Sequence, residues 1–409
     1  MMKFWRSAIL SASVVLCMPA YAQETFTIGA PASLSGKYAD YGNQAKNGVE
    51  TAIEVWKQVH GDKVAGRPIN VLVRDTQSNN ATTVSLINML IETDKVDVIV
   101  GPDGSNVAAA AVPPWKKQED RPIWFAPGGS SSVLEEEVGV DPYFFHTYAW
   151  TYYYHQNTSQ AFKEIMGADK KVAFIYSDGA YGRAHIDDAK KYFEEAGFEI
   201  VASELVREGA TDFNPTLMRI RARHPDILYL LVQTNDAVQL TKQIAAARLD
   251  VSLLVGTAQV QLSSWQEAVG VQQECWTGVT TWVSGLKYPA DEREPKIFPS
   301  AADFEKMWME KYKRTPDFLE VSYYISTMLA MLAADETGSV DREVMKDWLE
   351  KQNYNTPLGV SKFEKSRVAL HQAFGTMVVF QRQKQDDGSF KSVIVYPKEA
   401  ATGDLNLCK

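Results

Sequence analysis

Strand-like and helix-like segments alternate along this chain with a regular period, and the alternation starts twice. Phe26-Thr27-Ile28-Gly29 reads as a short strand. Ala45, Val49, Ala52, Ile53, Trp56 and Val59 then recur at helical spacing. Further strands are expected at Ile69 to Arg74, Val96 to Val100 and Pro122 to Ala126. Helices are expected between them, around Val84 to Ile91 and from Ser105 to Ala111. The rhythm restarts near residue 172 with Val172-Ala173-Phe174-Ile175-Tyr176. Strands at Glu199 to Ala202, Ile227 to Val232 and Leu253 to Gly256 follow, separated by helices at Gly182 to Ala196, Pro215 to Arg223 and Ala237 to Ala247. Crossovers of this length join parallel strands and place helices on both faces of a sheet. The chain therefore carries two α/β units in tandem. An aromatic stretch, Phe144 to Tyr154, lies where the chain passes between them. Helices at Ala301 to Lys313, Val321 to Glu336 and Arg342 to Lys351 come next. Two strands close the chain, Gly375 to Arg382 and Ser392 to Tyr396, around the turn Asp386-Asp387-Gly388.

The first residues read as an address. Lys3 and Arg6 precede an apolar run from Ala8 to Cys17, and Ala20-Tyr21-Ala22 supplies small residues before Gln23. This is the layout of a secretory signal peptide, residues 1–22. A single membrane anchor and a lipoprotein acylated at Cys17 are the alternatives, and Leu16 is bulky for the residue before an acylated cysteine. Export to the periplasm follows from the signal-peptide reading. The whole chain has a net charge of −9, and removing Lys3 and Arg6 makes it more acidic still. An acidic surface argues against nucleic acid and anionic lipid as partners. Cys275 and Cys408 survive processing, either as a disulfide or as two thiols.

Enzyme signatures are missing from the sequence. No Gly-x-Gly-x-x-Gly follows the first strand, and no phosphate-loop lysine motif or Gly-x-Ser-x-Gly elbow occurs. The six histidines show no metal-ligand spacing, so neither a metal nor a cofactor is expected. Glu135-Glu136-Glu137 reads as a solvated helix face. The informative segments are the loops at the carboxyl ends of strands, where ligands sit in open α/β sheets. Gly101-Pro102-Asp103-Gly104-Ser105 enters a helix with Ser105 expected as its N-cap, and its free amides suit a carboxylate. Pro127-Gly128-Gly129-Ser130-Ser131 leaves the next strand. In the second unit, Ser177-Asp178-Gly179-Ala180-Tyr181-Gly182 brings a tyrosine to the equivalent position. That ring can cover an apolar ligand and offer a phenolic hydrogen bond.

These pieces occur in a recognisable order: Ile28-Gly29, Leu34-Ser35-Gly36, Gly42, Gly48, Val98-Ile99-Val100-Gly101-Pro102, Ser105, Ala126-Pro127-Gly128-Gly129-Ser130, Asp178-Gly179-Ala180-Tyr181-Gly182 and Asp212-Phe213. Over nearly its full length the chain resembles the type 1 periplasmic binding proteins of the leucine/isoleucine/valine-binding kind. The resemblance implies two Rossmann-like lobes joined by three hinge crossovers that close on a ligand. It assigns 23–146 plus 282–358 to lobe 1 and 147–281 plus 359–409 to lobe 2. Ser105, Gly129 and Ser130 match the residues that hold a ligand carboxylate, Tyr181 the second-lobe tyrosine, and Gln233-Thr234-Asn235 a further contact loop. Amino-acid-binding members carry a glutamate after the strand equivalent to Leu253 to Gly256, facing the ligand ammonium. Here Ala258 or Gln259 stands there, and the next acid is Glu267. Either Asp103 supplies the missing charge, or the ligand is a carboxylate without an amine. Tyr148, Trp150 and Tyr152 are expected to suit a flat ring. The implied function is that of the substrate-binding component of an ABC-type importer, a monomer that hands a hydrophobic amino acid or a related carboxylate, aromatic or aliphatic, to membrane permease subunits. The alternative is a module that senses an amide or amine and reports to a signalling partner.

Overall fold

The strands are short and mostly apolar along their whole length, which suits sheets covered on both faces. The computed structural model of the protein describes residues 24–408. The expected signal segment, residues 1–22, and Gln23 lie outside them. Strand β1 (Phe26–Ala32) is buried at every residue. It leads into helix α1 (Ala39–His60), a hairpin of β2 (Lys63–Val64) and β3 (Arg67–Asp75), α2 (Asn80–Asn88), β4 (Val98–Val100), α3 (Ser105–Lys116), β5 (Ile123–Ala126), α4 (Ser132–Val138) and β6 (Phe144–His146). Strands β3, β1, β4, β5 and β6 lie side by side in parallel, with Ile28 opposite Val71 on one flank and Val98 on the other.

After a crossover at 147–150 the second unit begins. It runs through α5 (Thr151–Met166), β7 (Lys171–Ser177), α6 (Ala180–Ala196), β8 (Glu199–Val206), α7 (Asn214–Arg221), β9 (Ile227–Leu231), α8 (Thr234–Ala247), β10 (Leu253–Val255), α9 (Ser263–Val269) and β11 (Trp276–Thr280). Strands β8, β7, β9, β10 and β11 form a second parallel sheet. The chain returns to the first lobe over 281–300 and adds α10 (Ala301–Tyr312), α11 (Phe318–Thr337) and α12 (Arg342–Leu349). A small hairpin of β12 (Asn353–Thr356) and β13 (Gly359–Lys362) precedes β14 (His371–Gln372). The third crossover, 373–377, delivers β15 (Val378–Lys384) and β16 (Phe390–Tyr396) to the antiparallel edge of the second sheet. The two sheets and three crossovers are those expected. Among the described residues, no helix is long and apolar enough to cross a membrane.

Helix α11 is apolar nearly all round and buried from Phe318 to Ala334, as such a helix must be. It packs between α1 and the first sheet at β4 and β5. Its start is fixed by a capping box of Asp317 and Glu320. Arg314 donates to both oxygens of Glu320, at 2.8 and 2.5 Å.

Three expectations need correction. The resemblance places 359–409 wholly in the second lobe, but His371–Gln372 pair in parallel with Phe145–His146 at the edge of the first sheet. Two residues are too few to show a strand pattern in sequence. The stretch Phe144 to Tyr154 is not one crossover but the end of a strand, four linking residues and the first turn of a helix. Glu135 is not solvated. It is 1% exposed and accepts hydrogen bonds from the Val368 N–H at 2.9 Å, the Tyr152 hydroxyl at 3.3 Å and the Ser366 hydroxyl.

Cys275 and Cys408 form a disulfide, with Cα atoms 5.7 Å apart. It ties the C-terminal tail to the start of β11, and the Cys408 N–H also donates to the Ser252 carbonyl at 2.8 Å. The bond closes a loop across a sequence separation of 133 residues. Its loss should cost about 2–4 kcal/mol, by freeing the unfolded chain. Urea titration of Cys408→Ser and of the reduced wild type should therefore show equally lowered midpoints. A reductant that leaves the wild-type midpoint unmoved would show that the bond contributes nothing.

Candidate functional site

A parallel strand ends where the next helix begins, so each sheet gathers its loops along one edge. The loops after β4 and β5 in the first lobe, and after β9 and β10 in the second, line a single cavity of about 370 Å³. Gly104, Ser105, Gly129, Ser130 and Asp103 form one wall. Gln233, Ala258, Gln259 and Tyr181 form the other. Tyr41, Tyr148, Tyr154, Phe318 and Leu319 complete the lining.

The first-lobe wall is made of helix ends and close backbone. Helix α3 starts at Ser105, and its N-cap is Gly104 at φ −128°. Ser105 is thus the first helical residue and not the cap. Its hydroxyl oxygen instead accepts from the Ser131 N–H at 3.3 Å. Gly129 has φ +81°, the left-handed region that a side chain disfavours. A Cβ there would also come within 3.1 Å of Ala108 and of Leu134. Ser130 is 3% exposed, with its hydroxyl 3.5 Å from His185 Nε2. His185 in turn meets His155 at 2.9 Å. Burial pushes both rings well below the usual histidine range, His155 to about 3, so this pair is neutral at pH 7. Free amides at the start of α3, small residues and neutral hydroxyls make a surface suited to a carboxylate.

Asp103 sits beside that surface. Its Oδ1 accepts from the Ser33 N–H at 2.7 Å. Its Oδ2 is buried and has no hydrogen-bond partner among the described residues. Burial pushes its pKa up to about 6, against the backbone hydrogen bond from Ser33 that lowers it. Across the cavity, the Tyr181 hydroxyl lies 2.6 Å from Thr257 Oγ1, and the Thr257 hydroxyl also meets the amide oxygen of Gln259. Gln259 Nε2 is left without a partner among the described residues.

The aromatic residues divide. Tyr148 lines the cavity, bonds the Tyr154 hydroxyl and stacks on Phe318 with centroids 5.5 Å apart. Trp150 does not reach it. Its indole is fully buried and stacked on His146, with centroids 3.5 Å apart. Tyr152 is also outside, beneath the Arg367 guanidinium at 3.9 Å. So Asp103, Ser105, Gly129, Ser130, Tyr181, Gln233 and Ala258 come together, and Trp150 stays in the core.

Tyr41 was missed in the sequence although a signal was present. Tyr41-Gly42 and Tyr181-Gly182 occupy matching places, each in the first turn of the helix after the first strand of its sheet. A Cβ on Gly42 would lie 2.1 Å from the Ser33 carbonyl oxygen, and one on Gly182 would lie 2.3 Å from that of Ser177. Only glycine lets these helices seat so closely, and the adjacent tyrosine is thereby brought to the cavity on each side.

The mouth is bridged from lobe to lobe. The Tyr41 hydroxyl reaches Gln233 Oε1 at 3.0 Å and Thr234 Oγ1 at 2.8 Å. Glu208 accepts from the Tyr38 hydroxyl at 2.8 Å and from Lys37 Nζ at 3.0 Å. Asn106 accepts from the Ala180 N–H at 3.1 Å and donates to Tyr38. These bonds define a closed arrangement of the lobes.

Comparison with known proteins gives consistent results. A family model described as a periplasmic binding protein matches residues 25–388. A Leu/Ile/Val-binding protein of Rhizobium johnstonii is 25% identical over 314 residues, covering 72% of this chain and 79% of that protein. Among solved structures, the substrate-binding protein of a branched-chain amino acid transporter from Streptococcus pneumoniae, in complex with isoleucine, superposes with a TM-score of 0.75 at 21% identity, covering 91% of this chain and all of the other. A solute-binding protein of an ABC transporter from R. palustris, in complex with benzoate, gives 0.76 at 22% identity over 94% of this chain and 98% of that one.

The Ser105 geometry generates a test. A carboxylate held at this wall should lose about 1.5–3 kcal/mol of binding in Ser105→Ala, the usual worth of a hydrogen bond to a charged group. The variant should fold normally, because Gly104 and not Ser105 caps α3. Calorimetry that finds the same affinity in both proteins would reduce Ser105 to a partner of the Ser131 amide.

Proposed function

Since the chain belongs to the periplasmic binding protein family, we propose that it is the solute receptor of an ABC-type importer. It takes a hydrophobic amino acid or a related carboxylate, aromatic or aliphatic, between its two lobes and presents the closed complex to membrane permease subunits. The observation that carries this reading is the cavity itself. Both lobes line it, hydroxyls and helix amides stand on one wall, tyrosine rings surround it, and hydrogen bonds seal its mouth. In this reading Ser105, Gly129 and Ser130 receive the carboxylate, while Tyr181, Tyr41 and Tyr148 cover the apolar part. The protein is exported and processed near Ala22, and the Cys275–Cys408 disulfide suits the oxidising compartment beyond the inner membrane. It acts as a monomer, since closure of one chain encloses the ligand.

The test is a thermal-shift panel of hydrophobic amino acids and aromatic carboxylates on protein recovered from the periplasm of a Gram-negative host. A ligand at 100 times its dissociation constant should stabilise the protein by about 2.7 kcal/mol. A flat response across both compound classes would refute the receptor reading. The mass of the recovered chain should place its N-terminus at or next to Gln23, and recovery with Met1 intact would refute processing.

A further inference from the structure

We infer that Asp103 supplies the counter-charge for a cationic nitrogen on the ligand, so that the first lobe alone holds both charged ends of an aminated carboxylate. This rests on the receptor reading and narrows the substrate class. Among the described residues lining the cavity, Asp103 is the only carboxylate, and none is a lysine, arginine or histidine. It is 3% exposed. One oxygen is fixed by the Ser33 amide, and the other has no partner among the described residues. A buried, half-satisfied carboxylate is costly unless a cation or a donor completes it. No other described side chain completes it, so the cavity's occupant is the available partner.

The second lobe does not offer an alternative. Ala258 has no charge, and the Gln259 amide oxygen is engaged by the Thr257 hydroxyl. The Gln259 amide nitrogen, without a partner among the described residues, is a donor and offers a cation nothing. An amine-free carboxylate on Ser105 and Ser130 would meet Asp103, two residues from Ser105, as a buried like charge. A ligand with an ammonium beside its carboxylate converts that repulsion into a pair. Tyr41 and Tyr148 line the same space, so aromatic rings neighbour the bound cation. Asp103 is thus a specificity-determining residue, and the second lobe closes over the zwitterion with neutral groups only.

The experiment uses two matched pairs that differ only in the amine: leucine with 4-methylpentanoate, and phenylalanine with 3-phenylpropionate. Benzoate is added, and wild type and Asp103→Asn are titrated by calorimetry. In the wild type, the better-bound amino acid should exceed its amine-free partner at least about 30-fold, the loss expected when a buried charge pair is broken. Asp103→Asn should abolish that preference by weakening the amino acid while leaving the amine-free partner equal or tighter. The wild-type comparison decides even if the variant folds poorly. If an amine-free acid binds the wild type as tightly as any amino acid, or if the preference survives Asp103→Asn, the inference is overturned and the receptor reading stands. If none of the five compounds binds, and the wider panel is also flat, both are overturned together.

Discussion

In both lobes a glycine presses the helix that follows the first strand onto the carbonyl end of that strand. Gly42 does so against Ser33, and Gly182 against Ser177. Much else in the site depends on this contact. It brings the start of α1 and of α6 to the cleft edge, and with them Tyr41 and Tyr181 on opposite sides of one cavity. It also fixes the end of β1, where the Ser33 amide orients Asp103. The backbone approach, the aromatic lining and the orientation of the buried acid are consequences of one packing constraint used twice.

The electrostatics of the cleft are divided between the lobes. The first lobe contributes a helix start and a buried carboxylate. The second contributes hydroxyls, amides and a neutral histidine pair. His146, between them, is held neutral as well, with burial pushing it down to about 4 against its bonds to Gln372 and Gly129. A cavity wall without fixed charge can close on a ligand and release it without burying an ion of its own. The charged latch, Lys37 with Glu208, lies at the mouth, where Lys37 stays half exposed and screening by salt keeps the interaction modest.

Most of the fold was legible because its elements are long enough to show a period. α1, α6 and α8 have clear helical spacing, and the early strands are continuous apolar runs. Some of the shortest elements were not. β6, β14 and β11 carry no alternation, and β14 joins its sheet only through tertiary contacts. At the site, residues on strand-end loops were legible because position alone predicts them. Asp103, Ser105, Gly129 and Ser130 are of this kind. Side-chain direction was not legible. Trp150 and Tyr148 are two residues apart in one aromatic run, yet one stacks in the core and the other faces the cavity. Glu135 looked like the rest of an acidic triplet until the chain from 366 to 369 covered it. Tyr154, Phe318 and Leu319 reach the cavity from helices whose sequence pattern marks them only as core.

The closed arrangement belongs to the occupied protein. Closed and empty, it would bury Asp103 Oδ2 and Gln259 Nε2 without partners, a cost that opening to water removes. Small-angle X-ray scattering of the purified protein, with and without a saturating ligand, measures this most directly. The radius of gyration should fall on saturation, and the saturated profile should fit the closed coordinates while the free profile fits them poorly. Identical profiles in the two states would contradict the account.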